Sequence, residues 1–310
     1  MSPDTAASVR ARLLNRAKAQ GEEFERTLVR YAGERLLYRI GASAARDRCV
    51  LKGASLLAVW MRDPHRATRD LDVLTFGPSD AAAVRGLVEE ICAVPCPEDG
   101  LRFDLSRMEV EDIRSAEEYV GKRARFLALL AAARIRIQMD FGFGDALVVT
   151  PEEIEHPTML PGIPAPRLRA YPRETSVAEK FEAMVKLDVR NSRMKDFHDV
   201  WALATAFAFD GSALRRAVQA CFDRRGTPWL DETPRALTPA FYRTPELAAR
   251  WRGYLAAGSV LVAPPAQFEV IGGQVIRFLE PVRSAVLSGN PFEGAWPAGG
   301  PWMPGSHRPT

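Results

Sequence analysis

The segment from Lys52 to Leu74 constrains the fold of this chain more than any other. A glycine turn, Lys52-Gly53-Ala54-Ser55-Leu56-Leu57, opens a short helix, and Thr68-Arg69-Asp70-Leu71-Asp72-Val73-Leu74 follows. Side chains alternate along a strand, so Asp70 and Asp72 share one face while Leu71 and Val73 enter the core. Carboxylates this close repel each other unless a cation or a proton lies between them. An Asp-x-Asp strand placed after a glycine turn therefore points to Mg²⁺ and a bound phosphate group.

With 310 residues the chain has room for two domains, or for one large domain with an appendage. Its 47% hydrophobic and 26% charged residues are ordinary for a globular protein. No apolar run is long enough for a membrane-spanning helix. Met1-Ser2-Pro3-Asp4-Thr5 lacks the charged-then-apolar pattern of a signal peptide, so a cytoplasmic protein is expected. A net charge of +3 is compatible with a nucleic-acid partner without requiring one. Cys49, Cys92, Cys96 and Cys221 read as reduced thiols, since the Cys92/Cys96 pair has no second Cys/His pair nearby to complete a zinc site.

Apolar spacing predicts helices over residues 5–40, through Val9, Leu13, Leu14 and Ala17, then Phe24, Leu28, Tyr31, Leu36 and Leu37. Gly21 breaks the run, and many arginines are expected on the outer faces. From about 48 to 145 the pattern is mixed α/β. Strands are predicted at Asp70–Phe76, over 101–110, and in the apolar runs Ala124–Leu130 and Ile135–Phe141, with a helix over 79–92. Prolines punctuate 146–175, and Ser176 to about Leu287 reads as helical. The expected organisation is N-terminal helices (1–45), an α/β core (46–175), a helical C-terminal domain (176–288) and a disordered Gly- and Pro-rich tail (289–310).

Further residues join Asp70 and Asp72 as candidates. Asp140 ends the strand Ile135-Arg136-Ile137-Gln138-Met139-Asp140, and would add a third carboxylate if that strand lies beside the first. Three carboxylates on neighbouring strands suit two Mg²⁺ ions in phosphoryl or nucleotidyl transfer. Gly53 and Ser55 offer backbone N–H groups and a hydroxyl to a triphosphate, or simply cap a helix. Lys180, in Ser176-Val177-Ala178-Glu179-Lys180-Phe181, lies at the edge of an apolar stripe, within reach of a phosphate or of a glutamate. Asp196 and Asp199 are three apart and share a helix face beside Phe197, Val200 and Trp201, while His198 reads as a surface or boundary residue.

Lys52-Gly53-Ala54-Ser55, Arg66-x-Thr68-Arg69-Asp70-Leu71-Asp72, Gln138-Met139-Asp140-Phe141-Gly142-Phe143-Gly144-Asp145, Ala178-Glu179-Lys180-Phe181 and Asn191-Ser192-Arg193-Met194-Lys195-Asp196-Phe197-His198-Asp199 occur in this order. Together they resemble the AbiEii/AbiGii-type nucleotidyltransferase toxins of bacterial toxin–antitoxin and abortive-infection systems, over roughly residues 8–285. The resemblance implies an α/β (α+β) fold with a DNA polymerase β-like nucleotidyltransferase core and a helical C-terminal domain. It implies Mg²⁺, an NTP substrate and, as in the related MenT-type toxins, transfer of a nucleotide to the 3′ end of tRNA.

Carried over to these positions, Asp70 and Asp72 would be the metal-binding pair and Asp140 the third carboxylate. Lys180 would contact the triphosphate, Asp196 would be a further essential acid, and Asp199 its neighbour. Arg66, Arg69 and the arginines of the first helices are candidates for gripping an RNA acceptor through its phosphates. Where the superfamily prefers Gly-Gly or Gly-Ser, this chain has Gly53-Ala54. The expected partner is a cognate antitoxin, AbiEi-like with a winged helix, and the chain is expected to be a monomer. Alternatives are transfer to a protein or a small molecule, or a toxin that binds GTP or another NTP without catalysis. Asp72→Asn and Lys180→Ala are both expected to keep the fold.

Overall fold

The computed structural model describes residues 3–61, 66, 68, 70–115, 118–144, 150–258 and 260–305. Arg69 and Asp145 lie outside the described residues. The chain divides into two compact units, Met1–Asp145 with Pro151–Tyr171, and Ala146–Thr150 with Pro172–Thr310. The N-terminal helices, expected to stand apart over 1–45, belong to the first unit.

That unit opens with α1 (Pro3–Gln20) and α2 (Phe24–Ala42). Gly21, at φ +63°, supplies the left-handed residue that ends the first helix. Next come β1 (Cys49–Lys52), a 3₁₀ turn over Gly53–Leu56, and one helical turn, α3 (Leu57–Trp60). The helix predicted from Ser55 to Met61 is therefore half 3₁₀. The series continues through β2 (Leu71–Thr75), α4 (Ala81–Ala93), β3 (Arg102–Ser115), β4 (Glu118–Leu130), β5 (Ala133–Phe143), β6 (Glu152–Glu155) and β7 (Arg167–Ala170). Asp80 caps α4 by accepting from the N–H groups of Ala82 and Ala83.

Among the described residues these strands form one mixed sheet, in the order β3-β4-β5-β2-β1-β7-β6. The pairs β2/β5 and β1/β7 are parallel and the others antiparallel. Leu51, Val73 and Phe141 stand opposite one another on β1, β2 and β5, each at most 1% exposed. Burial of that apolar row on the central strands favours this register, because a one-residue slip would turn it to the opposite face. Helix α2 packs on this side: Gly33 faces Leu71, and a Cβ on Gly41 would strike the Arg167 carbonyl.

The arginines of α1 and α2 are not a free basic face. Arg12 donates to the Pro161 carbonyl at 2.5 Å and Arg16 to that of Met159 at 3.0 Å. Arg35 and Arg39 are buried, paired with Glu34 at 2.8 Å and Asp99 at 2.5 Å. Arg30 pairs with Glu22, and Arg10 lies over the Phe24 ring. Their expected role as phosphate grips gives way to a structural one, tying the helices to the 157–166 segment and to Asp99.

The second unit is mainly helical: α5 (Arg173–Leu187), α6 (Met194–Ala206), β8 (Phe209–Asp210), α7 (Gly211–Arg224), α8 (Pro239–Tyr242), α9 (Pro245–Ala256), α10 (Phe268–Leu287) and β9 (Ala295–Trp296). The apolar stripe of α10, with Ile271, Val275, Phe278, Leu279 and Val282 fully buried, is its centre. The expected disorder of the tail fails for residues 289–305. β9 pairs with β8, and Trp296 is 1% exposed with its indole N–H donating to the Ala204 carbonyl at 2.7 Å. Trp302 stacks on Phe278, with ring centroids 5.8 Å apart, and donates to the Phe278 carbonyl. Aromatic burial outweighs the Gly/Pro composition here; residues 306–310 lie outside the described residues. Among the described residues no helix is long and apolar enough to cross a membrane.

Candidate active site

The sheet gathers charge into one row. Lys52 of β1 is the direct partner of Asp72 on β2, Asp72 of Asp140 on β5, Asp140 of Arg123 on β4, and Arg123 of Glu111 on β3. Directly opposed residues project to the same face, so cation, two carboxylates, cation and carboxylate stand side by side on it. It is the face opposite the Leu51–Val73–Phe141 row. The parallel β2/β5 pairing thus brings Asp140 beside Asp72, the juxtaposition that the third carboxylate required. Asp70 and Asp72 are both half-buried.

The glycine turn meets this row directly. Gly53 has φ +71°, where other residues are strained, and a Cβ there would fall on the Asp72 carboxylate. Glycine is required twice over, by backbone conformation and by the closeness of Asp72. Ala54 and Ser55 are buried, at 8% and 6% exposure, so the Ser55 side chain belongs to the turn's interior. The Lys52 ammonium lies 5.7 Å from the centre of the Tyr171 ring.

Arg123 was not singled out by sequence. Its Nε donates to Asp140 Oδ1 at 2.8 Å and its Nη2 to Oδ2 at 2.7 Å, a two-pronged pair. Hydrogen bonding to Asp140, with the charges of Asp140, Asp70 and Glu111, raises its pKa against the opposing effect of partial burial. In the sequence it precedes the apolar run Ala124–Leu130, and only strand register reveals what it faces.

Lys180, Asp196 and Asp199 form a cluster of their own in the second unit. Lys180 on α5 donates to Asp199 at 2.6 Å and reaches Asp196 at 3.4 Å, both carboxylates being 0% exposed. Arg193 Nε adds a 2.6 Å pair to Asp196. Lysine and arginine compensate two acids that α6 buries at its start. Lys180→Ala would leave that charge uncompensated, so the expectation that this variant keeps the fold is withdrawn. His198 is fully buried, not at the surface: Nδ1 lies 2.8 Å from the Tyr254 hydroxyl, among Trp201 and Trp251. Arg66, expected to touch RNA, is only 8% exposed.

Asp70 and Asp72 offer the hard oxygen donors that Mg²⁺ takes. Among the described residues no three His, Cys, Asp or Glu side chains form a group that could hold a metal ion. The fit is thus to the Asp70/Asp72 pair, with Asp140 turned to Arg123. The cysteines are unpaired by disulfides, and burial pushes the thiols of Cys92 and Cys96 up to about 12 and about 11, so neither is a ready nucleophile.

Residues 35–271 match the family described as nucleotidyl transferase AbiEii toxin, Type IV TA system. The chain belongs to the AbiEii family. Two crystal structures from Helicobacter pylori are similar to it in shape. One is JHP933, with a TM-score of 0.49 and 12% identity over 82% of this chain and 90% of that one. The other, a candidate nucleotidyltransferase, also has a TM-score of 0.49 and 12% identity, over 86% and 98%. No curated protein matches the sequence. AbiEii membership brings the nucleotidyltransferase fold, here the mixed sheet carrying Asp72 and Asp140, and an antitoxin as partner.

Proposed function

We propose that this AbiEii toxin is an Mg²⁺-dependent nucleotidyltransferase that moves a nucleotide from an NTP to an acceptor, the 3′ end of tRNA. The observation that carries the reading is the Asp72 carboxylate lying against the Gly53 turn with Asp140 as its cross-strand neighbour. Asp70 and Asp72 would hold magnesium, which when bound neutralises phosphate charge. The Gly53–Ser55 turn orients the triphosphate through its backbone, and Lys180 serves the triphosphate with Asp196 and Asp199 fixing its ammonium. An acceptor hydroxyl forms a bond to the α-phosphorus, the bond to the β-phosphate oxygen breaks, and pyrophosphate leaves. Fixed positive charge near the transferring phosphate stabilises that step, and Lys52 and Arg123 flank the carboxylates in the same row. The partner antitoxin is proposed to be AbiEi-like, with a winged helix.

Incubation with α-labelled NTPs and total cell RNA tests the reading. Label should enter the tRNA band, at the 3′ end, with pyrophosphate released. Label entering protein or a small molecule instead would move the acceptor, and binding without pyrophosphate release would reject transfer.

A further inference from the structure

Asp140 gives both carboxylate oxygens to a single guanidinium. The fork from Arg123 Nε and Nη2, at 2.8 and 2.7 Å, takes one lone pair of each oxygen on the side where a chelating metal ion would sit. The two residues are direct partners across β4 and β5, so the backbone itself holds them together. The pair is shielded, with side chains 28% and 15% exposed. The other acid opposite Arg123, Glu111, has its own partner in Arg125 at 2.7 Å. Arg123 Nη1 takes no part in the fork. Asp70 and Asp72 remain as the carboxylates that are two apart on one segment, beside the glycine turn.

We infer that Asp140 serves Arg123 rather than a metal ion, and that the chain itself holds a single divalent cation, on Asp70 and Asp72, with the Arg123 guanidinium as the fixed second cation of the site. This rests on the metal-dependent reading above and makes it more specific. A carboxylate already neutralised by a guanidinium is a weaker ligand for Mg²⁺, which also needs near-octahedral oxygens. The guanidinium cannot lose its proton in the physiological range, so its charge persists at any free Mg²⁺ concentration. Arg123 is thereby a positioning and charge-supplying residue, and Asp140 acts through it.

The test is Mn²⁺ titration of the full chain, followed by calorimetry and by electron paramagnetic resonance of the free ion. Wild type, Asp72→Asn, Asp140→Asn and the double variant Arg123→Gln/Asp140→Asn are compared. The double variant replaces the ion pair with a neutral amide pair and guards against misfolding of the single one. A single Mn²⁺ should bind per wild-type chain. Asp72→Asn should weaken it by at least about tenfold, as loss of a metal-site group does, while both Asp140 variants keep wild-type affinity and stoichiometry. Loss of binding in the Asp140 variants matching that in Asp72→Asn, or a second Mn²⁺ in wild type that they lose, overturns the inference while leaving the metal reading in place. Unchanged binding in Asp72→Asn overturns the metal reading and the inference with it. In transfer assays, Arg123→Gln should lower turnover without moving the Mg²⁺ concentration at half-maximal rate; a rise in that concentration contradicts the assignment.

Discussion

Each unit of this chain sets aspartates against cations, and the two do so in opposite ways. On the sheet, Asp72 and Asp140 stand side by side in a row on partly exposed side chains. In the helical unit, Asp196 and Asp199 are wholly buried and gripped by Lys180 and Arg193. Burial separates their tasks. A carboxylate removed from water needs permanent partners, and losing one partner costs stability. A half-buried row beside a strained glycine turn is open to ligands and keeps charge available for chemistry. Loss of activity on mutation therefore means different things in the two places.

The largest stability effect is expected at Lys180. Lys180→Ala should destabilise the fold by about 3–5 kcal/mol, as breaking a buried pair does, measured by urea unfolding; an unchanged midpoint would make the cluster a surface feature. A buried group without an opposite charge gives the next contrast. His156 is 9% exposed, and Nδ1 lies 3.0 Å from the Pro157 carbonyl oxygen. Burial, with Arg35 and Arg30 nearby, pulls its pKa from 6.5 to about 4, against a small opposing effect of that carbonyl. Because the folded value is depressed, its stabilisation is present above pH 6.5 and is lost as pH falls toward 4, about 3 kcal/mol in all. His156→Gln should flatten that window in a stability–pH profile.

Gly53→Ala comes third. The positive φ should cost about 1–2 kcal/mol, and the methyl group should push Asp72 out of place, so activity should fall further than stability does. Equal losses would say that the turn only supports the fold. Smallest of all is Arg46→Ala, which removes an exposed pair with Glu153. It should shift stability by about 0.5 kcal/mol or less in the same unfolding assay.

Much of the sheet could be read directly from residue order. Alternation and turn signals marked β2 and β5, and the Asp-x-Asp spacing fixed which residues share a face. The Asp72–Asp140 neighbourhood needed only a guess that the strands are adjacent. Arg123 was hidden because cross-strand register is set by long-range pairing, which local periodicity does not carry. The arginines of α1 and α2 read as an outer face because nothing local shows that the 157–166 segment covers them. The tail misled through composition: Gly and Pro suggested disorder, while Trp296 and Trp302 anchor it on Phe278. Lys180 was singled out correctly, yet its carboxylate partners depend on how α5 meets α6.

Nucleotide transfer by Asp72→Asn protein is the measurement that bears most directly on the sheet row as the reactive centre. Wild type and variant are incubated with α-labelled NTP, Mg²⁺ and total RNA, with melting temperatures taken on the same samples. The account predicts label on tRNA for wild type and none above background for Asp72→Asn, at equal melting temperatures. Undiminished labelling by a folded Asp72→Asn protein would contradict it.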